Sequence, residues 1–252
     1  MVTSPFASPT VPDPIGTELS GVIRRTATNL PRNRQETIGP SEMGDECDRR
    51  LAMKLWGVPA VSDFSDPWPS IVGTATHTWL ADAFRAENSL YALPRWIVEQ
   101  KVYPDDAHPG SCDLYDVHRA GVLDWKILGT TSMKKYKAQG PSTRYIVQSH
   151  LYGLGFRRLG FNVKTVSIVM LPRGGMLAGI HVWTAAYDEA VALKALARVG
   201  DIACSVYDVA DRDEIAPAEW ESIPATPSTD CAYCPYKRPG PVDGTGCPGE
   251  VT

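Results

Sequence analysis

The sequence predicts an α/β fold in which a mixed central sheet is flanked by helices. Three observations lead there. Apolar residues recur at helical spacing early and late in the chain, whereas the middle switches to short patterns of strand period. The resulting order of helices, three strands, a helix, two strands and a helix suits one sheet covered on both faces. A chain of 252 residues with 43% hydrophobic content can also bury a full core.

The elements follow in order. Pro5, Pro9, Pro12 and Pro14 make the first fourteen residues an irregular arm. A helix is expected from about Ile15 to Leu30, and another from Ser41, read as its N-cap with Glu42 in the first turn, to Trp56, where Gly57 and Pro59 stop it. Cys47 then lies on or beside a helix. From Ser70 to Ala86 the residues Val72, Trp79, Leu80, Ala83 and Phe84 keep helical spacing, and His77 shares a face with Gly73, Leu80 and Phe84, so it looks inward. Strands are expected over Trp96–Tyr103, Ser111–His118 and Gly121–Leu128, the last two joined by a short turn through Arg119, Ala120 and Gly121. A helix over Tyr145–Leu159, strands over Val163–Leu171 and Leu177–Thr184 around a Pro-Arg-Gly-Gly turn, and a helix over Tyr187–Val209 complete the core. The chain therefore divides into an arm (1–14), a helical segment carrying Cys47 (15–69), a core (70–212) and a cysteine-rich segment (213–252).

The N-terminus has no basic flank followed by an apolar run, and no stretch approaches the length of a membrane span, so a cytoplasmic protein with no membrane partner is expected. In that reducing compartment clustered cysteines point to a metal rather than to disulfides. Cys112 and Cys204 have no spaced partner and read as small buried apolar residues. A net charge of −4 does not announce a nucleic-acid ligand, but a backbone is recognised by a local basic strip. Candidate strips are Arg24, Arg25, Arg32 and Arg34, then Arg49 and Arg50, then Lys134, Lys135 and Lys137 around Tyr136. Each alone is also what an ordinary solvated face looks like.

In the segment Leu-Asp-Trp-Lys-Ile, Asp124 and Lys126 alternate with Leu123, Trp125 and Ile127, which places a carboxylate and an ammonium side by side on one face of a strand. Such a pair is often a plain surface ion pair. Here Asp113 precedes it on the neighbouring strand, close enough across a hairpin for both carboxylates to bind one hard cation, Mg2+ or Mn2+. A cation so held can polarise a phosphodiester, with Lys126 positioning water or stabilising developing charge. His77 precedes both carboxylates and is a competent ligand for Mn2+. Gln148 and Tyr152 stand at i and i+4 with Arg144 one turn earlier, a helix face able to contact a nucleic-acid backbone.

Four cysteines are split between the ends of the chain: Cys47 alone, then Cys231, Cys234 and Cys247. Four thiolates drawn from both ends can close one site, an iron–sulfur cluster or a structural zinc. Zinc ribbons normally supply two close pairs, and this chain has one pair and two singles, which favours the cluster.

The ordered set of Cys47, Gly-Thr-Ala-Thr-His ending at His77, Cys-Asp-Leu around Asp113, Leu-Asp-Trp-Lys from Leu123, Gln-x-x-x-Tyr from Gln148, Cys-x-x-Cys from Cys231 and Cys-Pro-Gly from Cys247 resembles the RecB-like branch of the PD-(D/E)xK nucleases. More narrowly it resembles the iron–sulfur exonucleases of that branch, which include CRISPR-associated and phage-encoded members. The likeness spans roughly Gly44 to Gly249, and Asp124 stands where glutamate is commoner. The resemblance implies a restriction-endonuclease-like core and a catalytic metal on His77, Asp113, Asp124 and the main-chain carbonyl of Trp125. It implies assistance by Lys126, support from Gln148 and Tyr152, and a [4Fe-4S] cluster on Cys47, Cys231, Cys234 and Cys247 clamping the two ends together.

The expected function is a Mg/Mn-dependent deoxyribonuclease, an exonuclease acting at DNA ends with preference for single strands. Its contacts to DNA are expected from Arg49, Arg50, Lys134, Lys135, Tyr136, Lys137 and Arg144. Two alternatives are a DNA-end-binding recombination or genome-processing partner with little catalysis, and a zinc-stapled interaction module.

Overall fold

The structure is a computed structural model that describes residues 14–28, 37–58, 60, 66–210, 223–227, 229–238 and 247–249. Most of the proline-rich arm, Arg32, Arg34 and the expected boundary at residue 212 lie outside the described residues. The elements are α1 (Pro14–Thr28), α2 (Pro40–Met43), α3 (Asp48–Leu55), α4 (Trp68–Asn88), β1 (Trp96–Val102), β2 (Gly110–Asp116) and β3 (Gly121–Leu128). They continue with α5 (Thr130–Gln139), α6 (Thr143–Arg158), β4 (Thr165–Pro172), β5 (His181–Ala186) and α7 (Glu189–Ala210). Among these no helix is long and apolar enough to cross a membrane.

The sheet runs β1-β2-β3-β4-β5 and is mixed: β3 and β4 are parallel, the other pairs antiparallel. A parallel pair needs a crossover, and α5 with α6 supplies it. Leu80 and Phe84 of α4 cover one face, packing on Leu114, Trp125, Val169 and Leu171. On the other face Tyr152 and Phe156 of α6 cover Val102, Cys112, Tyr115, Val122 and Val166. Behind α6 lies a further helical layer in which Met43, Leu51, Met53, Leu154, Val199 and Tyr236 share one core, with Cys234 and Cys247 packed against it. The segments from the two ends of the chain thus meet on a single apolar surface.

Local chemistry explains the ends of the elements. After α3, Gly57 at φ 68 receives the chain, with Val58 N–H donating to Met53 O and Gly57 N–H to Lys54 O, a Schellman stop that the sequence signalled. Asn88 closes α4 onto β1: its side chain accepts from the N–H groups of Arg95 and Trp96 and donates to Trp96 O.

Three expectations need correction. The helix over 41–56 is broken into α2 and α3, and its cap is Gly39 with Pro40 in the first turn rather than Ser41. The break follows from close approach: a Cβ on Gly44 would stand 2.6 Å from Arg144 Cα, so α2 ends where it meets α6. The expected strand over 177–184 begins only at His181, because Leu177–Gly179 forms a 3-10 turn. Cys204 is exposed on α7, whereas Cys112 is wholly buried, its thiol pushed well above its ordinary pKa by that burial. An amphipathic helix buries one stripe, and Cys204 lies off the stripe of Val199, Ile202 and Val206.

Candidate metal-dependent active site

The β2–β3 ladder pairs Leu114 with Leu123, Tyr115 with Val122 and Asp116 with Gly121, and it goes no further. Beyond that point Asp113 replaces the ladder with its side chain: Oδ2 accepts the main-chain N–H of Trp125 at 2.7 Å. The β1–β2 register also lapses opposite Asp113, where Glu99 adopts φ 51 between the paired residues Val98 and Gln100. A left-handed glutamate in mid-strand is strained. It brings the Glu99 carboxylate beside Asp113 and His77, with one ligand atom of each within 4.8 Å of the others. Sequence reasoning missed Glu99. Its only mark was a charged residue in the run Val-Glu-Gln-Lys-Val.

His77 comes from α4 on the side facing β2, and its Nδ1 lies 3.0 Å from Asp113 Oδ1. Burial opposes charge on this imidazole, but the hydrogen bond and the nearby carboxylates outweigh it and raise its pKa. Asp124 is buried at 2% exposure, and burial, reinforced by the charge of Asp113 and opposed by Lys126, pushes its pKa up to about 6. Burial, with the charge of Asp113 behind it, raises Glu99 as well. Three carboxylates sharing one cleft in this way favour a cation among them.

Lys126 Nζ stands 2.6 Å from Asp124 Oδ2 and donates to Gln148 Oε1 at 2.9 Å. The short contact is an ion pair between a half-buried ammonium and an almost wholly buried carboxylate. Gln148 also donates from Nε2 to Asp124 Oδ1 at 3.1 Å and to the Tyr152 hydroxyl at 2.9 Å. Burial keeps that hydroxyl protonated. Tyr145, another residue the sequence did not single out, faces Lys126 with its ring, 4.6 Å from Nζ to the ring centre.

One cleft of about 970 Å3 gathers His77, Glu99, Asp113, Asp124, Lys126, Tyr145, Gln148 and Tyr152, with Arg85 and Lys101 as further cations on its wall. Trp125 borders it too, its indole 5.4 Å from the ring of Phe84. Converging carboxylate oxygens of Glu99, Asp113 and Asp124 with the His77 imidazole nitrogen fit a hard divalent cation.

Among the described residues, Arg49, Arg50, Lys134, Lys135, Tyr136, Lys137 and Arg144 do not line this cleft. Arg50 pairs with Asp45, and Arg144 donates to Ser41 O. Lys134, Lys135, Tyr136 and Lys137 lie on α5, with Tyr136 edge-on to Tyr145 and Lys137 donating to Gly179 O. Arg49 donates to Ile223 O and to Cys247 Sγ, the latter at 3.6 Å.

Arg49 and Arg50 border a second, smaller cavity lined by Cys47, Cys231, Cys234 and Cys247. Cys47 is the N-cap of α3, Cys231 belongs to the 3-10 turn Thr229–Tyr233, and Cys247 is carried by a bridge to Lys237. No disulfide is formed. Among the described residues no three of these sulfurs come within 4.8 Å of one another. A single tetrahedral zinc with Zn–S bonds near 2.3 Å needs sulfurs about 3.8 Å apart. The four thiols share one cavity but, as placed, do not close on a single metal position.

No protein-family model matches the chain, and no curated protein matches it. Its structural neighbours include an alkaline exonuclease from Laribacter hongkongensis, at 13% identity over 70% of this chain and 91% of that one (TM-score 0.46). A phage-related exonuclease from Haemophilus somnus is similar at 15% identity over 64% and 79% of the two chains (TM-score 0.42). The solved protein SSO0001 is similar at 14% identity over 89% and 95% (TM-score 0.47).

Proposed function

We propose that this chain is a metal-dependent DNA exonuclease that hydrolyses phosphodiester bonds from DNA ends, with preference for single strands. The observation that carries this reading is the convergence of His77, Glu99, Asp113, Asp124, Lys126 and Gln148 on one open cleft. Asp113, Asp124 and His77, with Glu99 beside them and the Trp125 carbonyl as a further donor, would hold Mg2+ or Mn2+. Bound there, the cation supplies polarisation of the scissile phosphate and a lowered pKa for water. Lys126 aims its ammonium at the charge that develops on the phosphate oxygens, Gln148 fixes that ammonium against Asp124, and Tyr152 fixes Gln148. Arg85 and Lys101 draw the backbone in.

The four cysteines form a structural [4Fe-4S] site in a cytoplasmic, reducing setting. What supports this is their common cavity and the cationic Arg49, Arg50 and Lys237 around it, which offset the negative charge of four thiolates. The group joins α3 to the C-terminal segment behind α6, and its role is to hold the helical layer that backs the catalytic helix.

Digestion of end-labelled DNA in Mn2+, single- and double-stranded, linear and circular, tests the function. Loss of label from linear single strands is expected. Degradation of closed circles would remove the exonuclease assignment, and the absence of cleavage on every substrate would remove the nuclease assignment.

A further inference from the structure

The ammonium of Lys126 is met from three directions by side chains of different kinds. Asp124 lies at 2.6 Å, the amide oxygen of Gln148 accepts at 2.9 Å, and the ring of Tyr145 stands with its centre 4.6 Å away. The last distance is well within the range at which a ring face attracts a cation. Tyr145, Gln148 and Tyr152 occupy positions i, i+3 and i+7 of α6, so the ring comes from the same helix face as the amide and the phenol. The ring is itself held: it packs on the cluster of Leu128, Met133, Ile168 and Met170, and Tyr136 meets it edge-on at 5.7 Å and 69°. Lys126 already pairs with the buried Asp124 carboxylate, and its flexible stem could make that contact in several ways, of which the Gln148 amide and the Tyr145 ring face select the one observed.

We propose that Tyr145 is a positioning residue for Lys126, its ring face keeping the ammonium directed at the reacting phosphate. This rests on the nuclease reading above, in which Lys126 serves the chemical step. The aromatic face does the work, so the hydroxyl is dispensable and the ring is not. Since the ring acts through Lys126 alone, its removal matters only while Lys126 is present.

The test uses the full chain, Mn2+ and a 5′-end-labelled single-stranded oligonucleotide, measured in steady state and in single turnover. Tyr145→Phe, which keeps the ring face, retains most of the kcat that Tyr145→Leu loses. Tyr145→Leu keeps KM and stays folded, at a somewhat lower thermal midpoint from the lost ring packing, but loses about tenfold in kcat, the scale of one desolvated cation–ring contact. In a Lys126→Ala background the added Tyr145→Leu change has no further effect. Should Tyr145→Leu unfold, Tyr145→Met, which also keeps apolar bulk, replaces it. Wild-type kcat in the leucine variant overturns the inference. So does a rise in KM at constant kcat, which marks a surface for stacking bases, and so does a loss that persists without Lys126, which marks general packing. If the wild-type chain cleaves nothing, the nuclease reading falls and takes this inference with it; if the wild type cleaves and the variants behave otherwise than stated, the inference falls alone.

Discussion

The side chain of Asp113 accepts the main-chain N–H of Trp125 at the point where the ladder between their strands stops. One carboxylate oxygen thereby does the work of a sheet rung, while the other faces His77. The site is built from a gap in the sheet, and that gap separates what Asp113 does for stability from what it does for chemistry.

Asp113→Ala removes both, leaving a buried N–H without an acceptor. A loss of about 1–3 kcal/mol in stability is expected along with the loss of cleavage. Asp113→Asn retains an acceptor and should be closer to wild type in urea unfolding while still inactive, because a neutral amide is a poor ligand for a hard cation. Equal destabilisation by the two changes would contradict the role given to the hydrogen bond.

Lys126→Ala separates catalysis from fold. Leu123, Trp125 and Ile127 supply the packing on the opposite face of β3, so the variant should still fold, at a lowered thermal midpoint because buried Asp124 loses its partner. Turnover should fall by roughly a hundredfold or more, as when a charge aimed at a transition state is removed. Raising Mn2+ should restore part of the activity of Asp124→Ala and none of that of Lys126→Ala. Wild-type turnover in saturating metal would place the active site elsewhere.

Glu99 is held at φ 51, a conformation that costs a non-glycine residue roughly 1–2 kcal/mol. Glycine removes that strain and adds roughly 0.5–1 kcal/mol of chain entropy to the unfolded state. Strain relief wins, so Glu99→Gly should unfold at the same temperature as wild type or higher while its cleavage collapses and its Mn2+ requirement rises. A clear fall in the thermal midpoint would show that the strain is not relieved.

Asp116 predicts how stability depends on pH. It is 2% exposed and accepts from Arg95, from Arg119 and from the main-chain N–H groups of His118 and Arg119. Burial alone would raise its pKa, but the hydrogen bonds of the two arginines outweigh burial, and the folded value lies below the ordinary one. Its contribution is therefore complete above the unfolded value near 3.9 and is lost as the pH falls through the folded value. Asp116→Asn should be less stable at neutral pH, and the difference should narrow below about pH 4 in urea titrations. A pH-independent difference would sink this account.

The four-cysteine site predicts colour. Purified without oxygen, the protein should show broad visible absorption and about four irons per chain. Cys47→Ser should lose iron and stability together, since metal binding is coupled to folding. Stoichiometric zinc with no iron would refute the cluster.

The sequence by itself carried the element types of the core and the residues that depend on local period. Gly121–Leu128 was legible to the residue, because alternation places Asp124 and Lys126 on one face whatever lies around them. Tertiary structure decided the rest. Whether α2 and α3 are one helix depends on the backbone of α6 at Arg144, a contact between residues about a hundred positions apart. Glu99 enters the site only through a backbone inversion opposite Asp113, which no periodicity encodes. Tyr145 meets Lys126 because the parallel crossover lays α6 over β3. Spacing along the chain fixes which side chains share a face, but which faces meet is settled by packing between distant segments.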